Sequence, residues 1–390
     1  MVDPVTAQLE QRGRVLAVDV LRGITVALMI LVNDPGDWAH VYWPLDHAAW
    51  NGWTLTDLIF PTFLFLAGCA IVFSTETRLV RGQSRGALAK HVMSRSAMLL
   101  LLGWFLAAMP RFHLTRMRFY GVLPRIALCA LIVGLLCLYI RRMRTLVILI
   151  VALLAGYWIL MRFVPVPGFG MPVRDIPLLD PDKNLAAWID RWVHFGRLYE
   201  RTRDPEGLLS TLPAVATTLL GVCTGRWIRS DASSWRKVLG MLAAGVILLA
   251  GGLLWGHWFP INKKLWTSSY VLLTAGWALL ALAPLYWLLD VQRVQDRLRS
   301  VGALVWPWLV FGSNAIAAFV ISEAIVKLAF FFQIADEDGD RHSLWVLAYE
   351  TIFARNGSTN WTSHGFALAF VCLCFIPLWL LWRKRIFVRL

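Results

Sequence analysis

The chain has 390 residues, 58% of them hydrophobic, 13% aromatic and only 16% charged, and Lys+Arg exceed Asp+Glu by 14. Soluble domains carry about 45–50% apolar and about 25% charged residues, so this composition excludes a soluble enzyme and a disordered chain. In so apolar a sequence the positive excess does not point to nucleic acid; it marks the cytoplasmic loops of an integral membrane protein.

A membrane-spanning helix needs roughly 20 mostly apolar residues, and the sequence offers ten such stretches. The expected spans are Val15–Val32, Leu55–Thr75, Ser94–Met109, Arg125–Ile140, Thr145–Phe163, Leu208–Ile228, Val238–Phe259, Ser268–Leu289, Val301–Phe331 and Gly365–Trp382. The ninth is long enough to span and then emerge or bend. Ser343–Ala354 is shorter and amphipathic, and is expected at the interface. The predicted fold is therefore an all-α polytopic membrane protein, one domain over residues 1–390, with a long outside loop at residues 165–207. Its first half is Pro/Gly-rich, and its second half reads as an amphipathic helix with Trp188, Ile189, Trp192 and Phe195.

With both termini in the cytoplasm, 21 basic residues fall on cytoplasmic ends, among them Arg12, Arg14, Arg78, Arg81, Arg85, Arg95, Arg141, Arg226, Arg383 and Arg389. The first outside loop, Asn33–Thr54, holds none. This agrees with the positive-inside bias and an even number of spans. The first apolar run is full length and no small-residue cleavage site follows it, so no cleavable signal peptide is expected. The six cysteines all lie in apolar stretches and read as small core residues. No CxxC motif or Cys/His cluster points to a metal.

Polar groups at membrane depth are costly and commonly face a cavity. Asp19 and Arg22 in the first span form either an i, i+3 ion pair or part of a cytoplasmic entrance. The densest cluster begins at Asn33 and runs through His47-Ala48-Ala49-Trp50-Asn51-Gly52 to Asp57. A neutral imidazole at the boundary can take a proton or attack an acyl group. Asp57, at a helix start, can favour the helix or orient His47. Trp43, Trp50 and Trp53 read as an interfacial belt or as a stacking wall for a sugar. Glu206 and Ser210 open a span and read first as helix capping. Asn262, Lys263 and Trp266 sit in an outside connection, where the lysines either snorkel to headgroups or bind a ligand. Asn314, deep in the ninth stretch, would face a helix interface or a substrate cavity.

Taken together, these segments resemble the heparan-α-glucosaminide N-acetyltransferase family and its bacterial relatives. The likeness is carried by DVLRG at Asp19–Gly23, HAAWNG at His47–Gly52, TLTDLIFP at Thr54–Pro61 and GVLPRI at Gly121–Ile126. It continues in DPEG at Asp204–Gly207, PINKKLWTSSY at Pro260–Tyr270, GSNA at Gly312–Ala315 and RKRIF at Arg383–Phe387. Two departures are visible: Pro124 stands where relatives often carry glutamine, and the family's N-terminal lumenal domain is expected to be missing.

The resemblance implies an acetyl-CoA-dependent N-acetyltransferase, a homodimer in the bacterial inner membrane whose active site opens to the periplasm. Acetyl would pass from cytosolic acetyl-CoA to a glucosamine-type amino sugar, with no metal and no nucleic-acid partner. It implies a catalytic role for His47, with Asn33 nearby; Asp57 is the expected orienting acid. Arg22, Arg78, Arg81 and Arg85 are candidates for the CoA phosphates. Trp50, Asn51, Glu206, Asn262, Lys263, Trp266 and Asn314 are candidates for the acceptor pocket. The alternative class is an amino-sugar permease, against which no internal repeat is visible.

Overall fold

The computed structural model describes residues 15–113, 117–193, 196–335 and 340–388. Phe195, and Arg12, Arg14 and Arg389 of the orientation set, lie outside the described residues.

Each expected span has a helix. The first five are α1 (Leu16–Asn33), α2 (Ile59–Val80), α3 (Arg85–Ala108), α4 (Val122–Tyr139) and α5 (Met143–Phe163). A nine-residue helix, α6 (Leu185–Val193), interrupts the long loop as expected. Then follow α7 (Thr211–Arg229), α8 (Ser234–Trp255), α9 (Ser268–Leu285), the short α10 (Val294–Arg297), α11 (Arg299–Ser313) and α12 (Ala315–Phe331). A β-hairpin of β1 (Gln333–Ala335) and β2 (Arg341–Ser343) leads to α13 (Leu344–Ile352) and α14 (Asn360–Arg383). Among the described residues eight helices are long and apolar enough to cross a membrane, or nine if the α11–α12 pair is one span.

The expected sixth span, α7, is held by neighbours rather than by apolarity. Its threonines and glycines lower its hydropathy, yet most of its residues are buried, against α2 above all. Small residues permit the approach: a Cβ on Gly221 would lie 1.9 Å from the Phe65 carbonyl oxygen, and one on Gly68 would lie 2.0 Å from that of Thr218. Close backbone contact of this kind supplies dispersion where lipid offers no hydrophobic drive. Gly221→Val therefore forces α2 and α7 apart. Overpacking costs about 1–3 kcal/mol, read as a lower melting temperature in detergent; an unchanged transition would refute the close packing.

The ninth stretch breaks at Asn314, where α11 and α12 meet at 76°. Asn314 is fully buried; its amide nitrogen donates to the Ile386 carbonyl (3.1 Å) and its oxygen accepts from the Val388 N–H (2.8 Å). It ties the bend to the segment after α14. The start of α1 is capped at long range, since Asp290 accepts from the N–H groups of Leu16 (2.7 Å) and Ala17 (2.9 Å). Those donors have no partner inside their own helix.

Candidate active site

The site grows from the carboxylate of Asp57, in a 3-10 turn (Thr56–Leu58) that runs into α2. Asp57 is 1% exposed. Its Oδ2 accepts from the N–H groups of Ala48 (3.0 Å) and Thr54 (3.1 Å), so the intervening loop is wrapped around one carboxylate. The Thr54 hydroxyl closes the loop on the Asp46 carbonyl at 2.6 Å. Oδ1 remains, 2.8 Å from His47 Nδ1. The ten-residue spacing of His47 and Asp57 thus builds a histidine–carboxylate pair in which the acid is buried and the imidazole is 35% exposed.

The second wall comes from far along the chain. Asn262–Trp266 is a tight turn: Asn262 Oδ1 accepts from the Leu265 N–H at 2.9 Å, and Trp266 takes a left-handed conformation at φ 53°. The turn docks on the His47 loop through Gly52 N–H to the Ile261 carbonyl (2.8 Å) and Asn262 Nδ2 to Asn51 Oδ1 (3.2 Å). Gly52 itself has φ +105°, which favours glycine. Lys263 Nζ then lies 2.9 Å from His47 Nδ1 and 3.2 Å from Asp57 Oδ1. Burial pulls the Lys263 ammonium below the usual lysine pKa, opposed by the charge and hydrogen bond of Asp57. Beneath them Tyr270, at the start of α9, donates its hydroxyl to the Asp57 carbonyl at 2.5 Å.

Several expected acceptor contacts prove to be supports. Trp266 is 1% exposed, donates to Thr217 Oγ1 (3.1 Å) and lies 5.1 Å beneath the Arg125 guanidinium, so its ring is not a sugar platform. Asn262 is fully buried between its own turn and Asn51. Trp50 donates to the Leu179 carbonyl (2.8 Å), with Arg203 and Lys264 near its ring at 4.9 and 6.0 Å. Trp50 therefore fastens the loop of residues 165–207 beside the site. Asn51 remains exposed.

Glu206 pairs with Arg118, which also grips Asp204 through two bonds of 2.7 and 2.6 Å. Ser210 accepts from Arg125 (2.5 Å) rather than capping α7. Arg118 was not singled out from the sequence, although two acids in DPEG signalled a missing cation. Asn33 ends α1 exposed, and among the described residues no hydrogen bond or ion pair joins it to His47.

The arginines assigned to CoA lie elsewhere. Arg22 pairs with Asp19 (2.7 Å) and donates to the Gly312 carbonyl (2.5 and 2.8 Å), which is the helix ion pair with a backbone acceptor added. Arg78 is half-buried at the far end of α2, near His91 and Arg95, and Arg81 and Arg85 are exposed just beyond. At 1.5 Å per residue, roughly 30 Å of α2 separates Arg78 from Asp57.

Residues 14–252 match the family model described as heparan-alpha-glucosaminide N-acetyltransferase, catalytic. The chain belongs to this family. It is 28% identical to heparan-alpha-glucosaminide N-acetyltransferase of Homo sapiens over 89% of its own length and 60% of that protein's, and 27% identical to the Mus musculus protein over 90% and 62%. The chain thus spans about three-fifths of the length of these curated relatives. The family match covers His47, Asp57, Arg118 and Glu206; the Lys263 turn lies beyond the matched segment.

Proposed function

We propose that the protein is a membrane N-acetyltransferase that moves acetyl from cytosolic acetyl-CoA to the amine of a glucosamine-type sugar on the periplasmic side of the bacterial inner membrane, working as a homodimer in the lipid bilayer. The observation that carries this reading is the His47–Asp57 pair. With Nδ1 turned to Asp57 and Lys263, the ring's Nε2 is the nitrogen left for substrate. A base held by a buried acid is the arrangement that acyl transfer needs. The names of the relatives support the same reaction class.

In direct transfer the sugar nitrogen attacks the thioester carbon while Nε2 takes the ammonium proton. The tetrahedral intermediate then collapses, the C–S bond breaks, and the imidazolium returns the proton to the leaving thiolate. In the two-step form Nε2 attacks first, the thiolate leaves, and the acetyl-imidazole is then opened by the amine. Asn33 is the proposed donor to the thioester oxygen. Asn51, the exposed amide beside the His47 loop, is the proposed acceptor contact. The exposed Arg81 and Arg85, with Arg78, are proposed for the CoA phosphates, because guanidinium groups pair well with phosphate oxygens.

The permease alternative is separated by one experiment. Purified protein in detergent, given labelled acetyl-CoA and glucosamine, is expected to place label in the sugar. Absence of labelled sugar together with uptake by proteoliposomes would reject the enzyme. A rapid acid quench before the sugar is added distinguishes the two routes, since only the two-step form leaves label on the protein.

A further inference from the structure

One imidazole nitrogen faces two partners that make opposite demands. His47 Nδ1 is 2.8 Å from Asp57 Oδ1, which as a carboxylate only accepts, and 2.9 Å from Lys263 Nζ, which as an ammonium only donates. Nδ1 carries either a proton or a lone pair, so a neutral ring satisfies one partner at a time. The third side of the triangle, Lys263 Nζ to Asp57 Oδ1 at 3.2 Å, lets the ammonium serve both neighbours while the ring proton sits on Nε2. A ring with its proton on Nδ1 instead donates to Asp57, and then meets the N–H bonds of a charged Lys263 head-on.

We propose that Lys263 is a positioning residue that selects the tautomer of His47: while its ammonium donates to Nδ1, Nε2 keeps the proton and is no base, and the base-competent ring forms when Lys263 loses its proton. The proposal rests on the acyl-transfer reading only for its kinetic consequence. The balance is one proton leaving the cluster to solvent from Lys263, with the ring proton moving from Nε2 to Nδ1.

The surroundings set where this switch lies. Asp57 and Glu206 attract the Lys263 ammonium, while burial and Lys264 oppose it. Lys264 is itself paired to Glu200 at 2.8 Å. Asp46 meets His47 only at the backbone, accepting its N–H at 2.7 Å. Burial is the largest influence, and it carries the switch below the pH at which a solvated lysine titrates.

The test reads the tautomer directly. The full chain in detergent carries 15N-histidine, and the His47 signals are assigned by difference against His47→Gln. At neutral pH the wild type is expected to show a protonated Nε2 and a bare Nδ1, reversing as pH rises. Lys263→Met is expected to show the reversed pattern already at neutral pH. Lys263→Arg stays charged throughout and is expected to keep the wild-type pattern with no reversal. In kcat/KM, the acid limb of Lys263→Met is expected to contain one ionisation fewer than that of the wild type. The same tautomer in wild type and Lys263→Met overturns the proposal. If the methionine variant does not fold, a wild-type ring that fails to reverse with pH overturns it equally. Absence of acetyl transfer in every protein would reject the enzyme reading while leaving the tautomer result to decide the role of Lys263.

Discussion

Replacing His47 with alanine is expected to abolish acetyl transfer while leaving acetyl-CoA binding measurable. The imidazole is the group whose Nε2 is left for substrate, and among the described residues no other titratable side chain is hydrogen-bonded to the buried Asp57 carboxylate except Lys263. A positioned base contributes about 10²–10⁴-fold, and a nucleophile that forms the intermediate is worth the whole two-step route. Alanine also removes the ring from a half-exposed place, so little packing is lost and the fold should persist. Single-turnover transfer from labelled acetyl-CoA, beside a binding isotherm, separates the two quantities. Wild-type turnover in the variant would remove His47 from the chemistry. Loss of binding and turnover together would point to a collapsed site instead.

The second large effect is expected for Asp57→Asn. An amide keeps the shape but reverses half of the bonding. If its oxygen stays with Ala48 and Thr54, its nitrogen faces His47 Nδ1 as a donor. The ring must then keep its proton on Nε2 even when Lys263 is neutral, so the base-competent form is lost. The same change in a serine-protease triad lowers turnover by about 10⁴-fold, and a loss of about 10³–10⁴ is expected here. Lys263 also loses its ion-pair partner 3.2 Å away. Asp57→Ala should be worse for the fold, because two loop N–H groups lose their acceptor, at about 1–3 kcal/mol for each buried group left unpaired. The asparagine variant with normal melting behaviour and normal kcat would show that Asp57 is a loop staple and nothing more.

The membrane class was legible because it depends on composition and on run length. Apolar stretches of roughly 20 residues become helices in lipid, where every backbone group must bond internally. Each expected span accordingly has a helix. The histidine and its acid were legible because they are neighbours in sequence, joined by a loop short enough to fold on one carboxylate. What misled was the reading of polar residues one at a time. Asn314, Trp266, Asn262 and Glu206 each looked available for a ligand. In the fold they hold, respectively, the terminal segment, Thr217, Asn51 and Arg118. A polar side chain buried among helices must find a partner, and the partners here lie tens to hundreds of positions away.

The sequence by itself therefore determined a helical membrane protein, its family resemblance and the imidazole proposed to carry the reaction. These follow from local periodicity, from charge along the chain and from the eleven residues that run from His47 to Asp57. Only the tertiary structure decided that Lys263 shares a nitrogen with Asp57, that Trp266 is a buried support, and that the ninth stretch breaks at Asn314. Those facts depend on which helix ends meet in space. Helices meet through close backbone contacts, such as Gly221 on Phe65, and their connecting loops through hydrogen bonds between distant positions, and no local pattern in the chain encodes either.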